Sequence, residues 1–183
     1  MLKKTVKLSG ILLAICVAMA VLLGVTNEAT KGTIALRQQE AKNAAMSEVI
    51  PAKNYTLLES IADDHELYAA FNGNDLVGYA VSLSESGYGG EINMMIGIKA
   101  DRTVSGVSIT DMSETPGLGD NAKNSEFMDM FKNLAEKEVA LTSDGGKVNA
   151  LSGATITSKA VTGGVRRALN IVEEKIAGGM INE

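Results

Sequence analysis

The sequence predicts an α+β fold: one N-terminal transmembrane helix followed by a single domain with an antiparallel sheet and flanking helices. Three observations predict it. From Leu8 to Asn27 no charged residue interrupts the chain, and Ile11 to Val25 is almost wholly apolar; about twenty helical residues span a bilayer core of roughly 30 Å. Between Asp75 and Ile109, short runs of alternating apolar residues are separated by glycine-bearing turns, the pattern of half-buried strands. From Ile156 to Ala177, apolar residues return at helical spacing.

Composition limits what this chain can do. Its 183 residues suit one domain plus extras, since domains usually run to roughly 100–200 residues. The balance of 17 Lys+Arg against 22 Asp+Glu is mildly acidic. No basic patch or aromatic-interleaved stripe is present, which argues against a nucleic-acid partner. With 19 Gly, no Trp, four Tyr and three Phe, the core must be aliphatic and Met-filled. The single cysteine, Cys16, lies in the apolar run. Disulfide scaffolds, CxxC redox pairs, zinc sites and Cys-ligated clusters are therefore excluded. Any electron this protein carries must ride on an organic group.

The elements follow in order. Lys3, Lys4 and Lys7 precede the apolar run, and Lys31, Arg37 and Lys42 follow it more sparsely. A short basic tail before a long domain favours a cytoplasmic N-terminus and an extracytoplasmic domain. Ala18-Met19-Ala20 resembles a signal-peptidase site, but Val21 to Val25 carries the apolar run past it. Cys16 does not make a lipobox, because Ile15 stands where a small residue is wanted. An uncleaved anchor is the reading adopted, with residues 1–27 as tail and anchor. Residues 28–52 read as a juxtamembrane helix, Ala-rich and ended by Pro51, since the residue before proline disfavours the α region. Residues 53–183 form the domain. Asp63, Asp64 and Glu66 surround the only histidine, His65. They read as a solvated turn rather than a cation site.

Asp75 to Ser84 is the first clear strand, with Leu76, Val77, Tyr79, Val81 and Leu83 largely alternating. Ser86-Gly87-Tyr88-Gly89-Gly90 breaks it. Glu91 to Ile98 and Thr103 to Ile109 follow, joined by a tight turn at Lys99 to Arg102, as in a meander. Ser125 to Ala135 carries Phe127, Met130, Phe131 and Leu134 at helical spacing. Asp144-Gly145-Gly146 makes another turn. The closing helix has Val161, Val165, Ala168, Leu169, Val172 and Ile176 on one stripe, with Gly178-Gly179 as its C-cap.

Three segments could carry chemistry. Asn149 to Ser158 crowds small residues and hydroxyls into a turn that opens a helix. It suits either plain Ser/Thr capping or phosphate, which the free N–H groups and positive end of a helix attract. Ser113 to Asp120 contains Pro116, Gly117 and Gly119 at a strand end, either an ordinary turn or a ligand loop. Gly87-Tyr88-Gly89-Gly90 reads as a hairpin turn, or as a place to stack Tyr88 on a ring. No Ser–His–Asp or Cys–His set, P-loop or Rossmann fingerprint is present. No catalytic residue and no metal ligand is singled out.

Together the segments resemble the FMN-binding domain of RnfG, the G-type component of the Rnf electron transport complex. That family is related to NqrC, the corresponding component of the sodium-translocating NADH:quinone reductase. The matching order is basic tail and anchor, GYGG at Gly87 to Gly90, ETPGLG at Glu114 to Gly119, and SGAT at Ser152 to Thr155. The resemblance implies FMN attached to Thr155 by a phosphoester, installed by a flavin transferase that uses FAD as donor. Ser152, Gly153 and Ala154 complete the acceptor motif. Glu114, Thr115, Leu118 and Gly119 are implied to lie near the isoalloxazine ring, Leu118 over a face and Thr115 or main-chain N–H groups at its polar edge. Two positions depart from the family pattern: Asn149 stands where Asp is usual, and Met112 or Ser113 where a histidine often precedes ETPGLG.

The implied role is an electron relay without a catalytic site of its own, among other membrane subunits of a redox complex. That complex couples ferredoxin and NAD oxidation–reduction to pumping of sodium ions or protons. Two other readings use the same residues. One is a flavinylated component of the quinone reductase or of another extracytoplasmic electron-transfer chain. The other is a non-redox anchored binding module, separated from both by the presence of the flavin adduct.

Overall fold

The computed structural model describes residues 2–62 and 64–179. Two compact units are resolved, one ending at Ala41 and one starting at Lys42. The first is helical and belongs to α1 (Leu2–Val49). Among the described residues, this is the helix long and apolar enough to cross a membrane, over Ser9–Val49. Its Ile11 to Val25 side chains are exposed on every side. A helix that is apolar all round needs a solvent other than water, which a bilayer supplies. The side chains of Lys3, Lys4 and Lys7, on which the orientation argument rests, lie outside the described residues.

The second unit is built on a five-stranded antiparallel meander, β1 (Asn54–Ile61), β2 (His65–Asn72), β3 (Asp75–Ser86), β4 (Glu91–Lys99) and β5 (Val104–Met112), in sequence order. The last three strands are those that alternation and glycine turns anticipate. At the β4–β5 turn, the Arg102 N–H donates to the Lys99 carbonyl (2.9 Å) and Arg102 adopts φ +66°.

Both faces of the sheet are covered, by different helices. On one face Leu67, Val81, Leu83, Met94, Ile96 and Ile98 pack with Val161, Val165, Ala168, Leu169 and Val172 of α3 (Thr155–Ala177). On the other, Ala45, Met46, Val49 and Ile50 pack on Ala70, Ala80 and Met95. Gly97 of β4 makes that second contact possible, because a Cβ there would stand 2.3 Å from the Val49 carbonyl oxygen. The helix ends at Val49, just ahead of the Ile50-Pro51 pair, as the sequence dictates.

Three sequence expectations are corrected. First, the sheet begins earlier than Asp75: β1 and β2 were not foreseen. Second, the Asp63–Glu66 run is not simply a solvated turn. Asp64 is in the turn, but His65 opens β2 with its side chain buried at 8% exposure. Its Nδ1 lies 2.6 Å from Asp64 Oδ2 and its Nε2 3.2 Å from Glu59 Oε2. Strand alternation turns it inward with Leu67 and Ala69. Asp63 lies outside the described residues. Third, the helix expected over Ser125–Ala135 is only α2 (Ser125–Asp129). The chain then turns so that the Asn133 N–H donates to the Val104 carbonyl (2.8 Å) and the Leu134 carbonyl accepts from Val104 (3.0 Å). Asn133 takes φ +63° to do so. Phe127, Met130, Phe131 and Leu134 still face the core, with Phe127 and Phe131 edge to face at 5.5 Å. Apolar spacing reported burial correctly here, while the backbone satisfied itself against β5 instead of a helix.

Candidate functional site

Three glycine-bearing segments, far apart in sequence, meet at one carboxylate. Glu114 lies two residues past the end of β5 and is buried. Its Oε1 accepts the main-chain N–H groups of Tyr88 (2.8 Å) and Gly89 (3.2 Å). Its Oε2 accepts the hydroxyl of Thr157 (3.0 Å), on the first turn of α3. The bonds explain the glycines. A Cβ on Gly87 would stand 2.1 Å from Glu114 Oε1, and one on Gly119 would stand 2.5 Å from Oε2. The GYGG and ETPGLG segments are thus short of side chains where the carboxylate needs the space.

The loop after Glu114 closes on itself. The Thr115 carbonyl accepts N–H groups from Leu118 (3.1 Å) and Asp120 (3.3 Å), Gly117 takes φ +76°, and the Asn121 amide donates to the Gly117 carbonyl (2.9 Å). Thr115 and Leu118 are exposed. Leu118 leans toward the SGAT segment: a Cβ on Gly153 would be 3.1 Å from its Cδ2. Gly153 sits at φ +73°, where any other residue is strained. Ser152, Gly153 and Thr155 are exposed and Ala154 is buried.

The closing helix starts without a cap. Ala154 occupies the N-cap position, no side chain bonds there, and no acidic residue lies in the first turn. The helix-start N–H groups therefore face outward with the positive end of the dipole. The turn is instead braced from within. Ser158, fully buried, donates to the Ala154 carbonyl (2.9 Å) and accepts the Leu151 N–H (2.9 Å). The sequence offers Thr157 with Thr155 as hydroxyls at the phosphate-receptive end of the helix, and Ser158 only as the end of a hydroxyl-rich stretch. The detectable signal was a hydroxyl inside the first turn reaching back to the preceding loop, as a capping box does.

Each of the three segments also exposes one large apolar side chain: Tyr88 at 70%, Leu118 at 44% and Ile156 at 54%. Elsewhere in the second unit, the exposed large apolar side chains among the described residues are Leu57, Leu58 and Ile61, on β1. An uncapped helix start for a phosphate and apolar surface for an aromatic ring are what a flavin nucleotide requires of a protein. The residues fit such a group.

Residues 87–170 match the family model of the FMN-binding domain, a span that begins at Gly87 and contains all three segments. Residues 1–49 match that of the RnfG N-terminal region. The G-type component of the Na(+)-translocating ferredoxin:NAD(+) oxidoreductase complex of Acetobacterium woodii is 34% identical, over 93% of each chain. The chain belongs to the RnfG family of ion-translocating oxidoreductase complexes. The G-type component of the ion-translocating oxidoreductase complex of Methanosarcina acetivorans is 33% identical over 93% of this chain and 95% of that one. Its counterpart in the proton-translocating ferredoxin:NAD(+) oxidoreductase complex of Clostridium ljungdahlii is 32% identical over 86% and 85%. Among solved structures, NqrC of Shewanella oneidensis superposes with a TM-score of 0.47 at 22% identity, over 69% of this chain and 70% of that one. As an RnfG protein, the chain is a membrane-associated flavoprotein that binds FMN and works among the other members of its complex.

Proposed function

We propose that this chain relays electrons through FMN held as a phosphoester on Thr155, in an extracytoplasmic domain of a complex that moves ions as electrons pass between ferredoxin and NAD. The observation that carries the reading is the contrast at the start of α3. Thr155 is exposed beside an uncapped helix start, whereas the hydroxyl of Thr157 is buried and bonded to Glu114.

Bound there, the flavin supplies one- and two-electron chemistry that no side chain of this chain provides. The chain's residues hold and shield it. Main-chain N–H groups at the start of α3 would hold the phosphate, and Gly153 would let it approach the backbone. Leu118, Tyr88 and Ile156 offer apolar surface that keeps water from a ring, and Thr115 offers a hydroxyl. No residue here acts on a substrate, so donor and acceptor sites belong to other subunits. An ester bond retains the cofactor on the side of the membrane where no cytoplasmic pool replaces it, and the anchor raises its effective concentration near redox partners. A flavin transferase is the maturation partner.

Mass spectrometry of the peptide spanning Asn149 to Lys159, from protein made in its own membrane, tests the attachment. An FMN adduct on Thr155 is the expected result; a fully unmodified peptide overturns the reading. The orientation is tested by Ser143→Cys, at an exposed position, in a chain whose own Cys16 lies in the apolar span. A membrane-impermeant maleimide should label it in intact cells, and labelling only after lysis puts the domain inside.

A further inference from the structure

We propose that Glu114 is the positioning residue for flavin loading. Its carboxylate knits the three glycine-bearing segments into one scaffold and withholds the Thr157 hydroxyl, leaving Thr155 as the acceptor of the two threonines. The inference rests on Thr155 being the attachment site.

Tyr88 and Thr157 lie 26 and 43 residues from Glu114 in the chain, yet all three are joined through one side chain. Every donor to it is neutral, and among the described residues Glu114 forms no ion pair. A carboxylate collecting main-chain N–H groups and a hydroxyl fixes loop shape, because each bond constrains a different segment and bonds to a charged acceptor are stronger than neutral ones. The glycines agree, since a side chain at Gly87 or Gly119 would occupy the carboxylate's own space. The bond to Thr157 also decides which hydroxyl is free. Thr157 is 1% exposed and its hydroxyl donates its hydrogen bond to Glu114, while Thr155, two residues earlier, is open.

In loading, the bond from Thr155 Oγ to the FMN-side phosphorus of FAD forms as the phosphoanhydride bond breaks. AMP leaves, the hydroxyl proton passes to a base on the transferase, and nothing is oxidised or reduced. The acceptor oxygen must reach a phosphorus in another protein's site, and displacement of about 1 Å at such a centre can cost on the order of a hundredfold in rate.

The test is coexpression of the full chain with a flavin transferase. Intact mass gives the fraction loaded and peptide mapping across Asn149 to Lys159 gives the site. Glu114→Ala should load at least about tenfold more slowly, with any residual adduct shared between Thr155 and Thr157. Glu114→Gln should stay within about twofold of the parent, because its amide oxygen can still accept from Tyr88 and Gly89 while its NH2 donates to Thr157, which accepts in turn. Glu114→Ala loaded at the parental rate on Thr155 alone overturns the inference, as does Glu114→Gln failing as badly as Glu114→Ala. Should Glu114→Ala not accumulate, Thr157→Val carries the test: loading at Thr155 should fall about threefold, and an unchanged rate overturns the inference. A parent chain without any adduct refutes the attachment reading itself, a different failure.

Discussion

Two of the polar clusters that tie α3 to the rest of its domain are built on opposite plans. Near the helix start, Glu114 is buried, accepts only neutral donors and joins loops to one another. Farther along, Arg167 reaches Asp64 (3.1 Å), Glu85 (3.1 Å) and the Ser84 carbonyl (3.0 Å), and Lys175 reaches Glu59 (2.6 Å). His65 lies buried between Asp64 and Glu59. This second cluster joins helix to sheet by half-exposed ion pairs. Buried hydrogen bonds to one acceptor define a conformation, because each orphaned partner carries a desolvation cost. Ion pairs at a surface hold two elements together loosely and are screened by salt. The first cluster joins the loops of the candidate site to one another, and the second joins helix to sheet.

Thr155 belongs to neither cluster, and its removal should have the largest functional effect with the least structural one. Thr155→Val is expected to abolish the covalent flavin completely, read by in-gel fluorescence, while unfolding free energy stays within about 0.5 kcal/mol of the unloaded parent. Retained fluorescence would break the contrast between an exposed acceptor and a buried brace. Thr157→Val comes next. It leaves Glu114 Oε2 without its donor, and should destabilise detergent-solubilised protein by about 1–3 kcal/mol in denaturant titration.

The sequence foreshadowed these two clusters unequally. Glu114 and Thr157 sit in short patterned segments, so their importance was legible although their mutual bond was not. Glu59 and Arg167 carry no local pattern, Asp64 sits in an acidic run that reads as a turn, and only the folded meander brings them together. The strands beneath them were illegible for the same kind of reason. β1 is an edge strand with most of its side chains exposed, and β2 buries small alanines on both faces, so neither shows clean alternation of apolar and polar residues. By contrast, β3 to β5 and α3 were legible because one face of each meets a large aliphatic core.

The second cluster should answer more weakly. Arg167→Gln is expected to cost about 1 kcal/mol or less at low ionic strength, and the difference from the parent should shrink as salt is added. A salt-independent loss as large as that of Thr157→Val would erase the distinction between the clusters. The smallest effect concerns acid. The Glu59 carboxyl is held below its usual range chiefly by the hydrogen bond from Lys175, and the Asp64 carboxyl by its bond with His65 and the charge of Arg167. Because the folded values are the depressed ones, their contribution is complete above the ordinary carboxylate range near pH 4 and is lost as pH falls through the folded values. Thermal melts between neutral and acid pH should therefore show a shallower acid-side decline in Lys175→Met than in the parent.

The bare alanine where α3 begins has a last consequence. A nucleotide phosphate esterified one residue later would complete the helix as a Ser or Asp side chain completes others, so the prosthetic group would be part of the secondary structure it sits on. Unloaded molecules would then leave the first-turn amides without that acceptor, and amide exchange at Ile156 would distinguish mature from immature copies without any electron being passed.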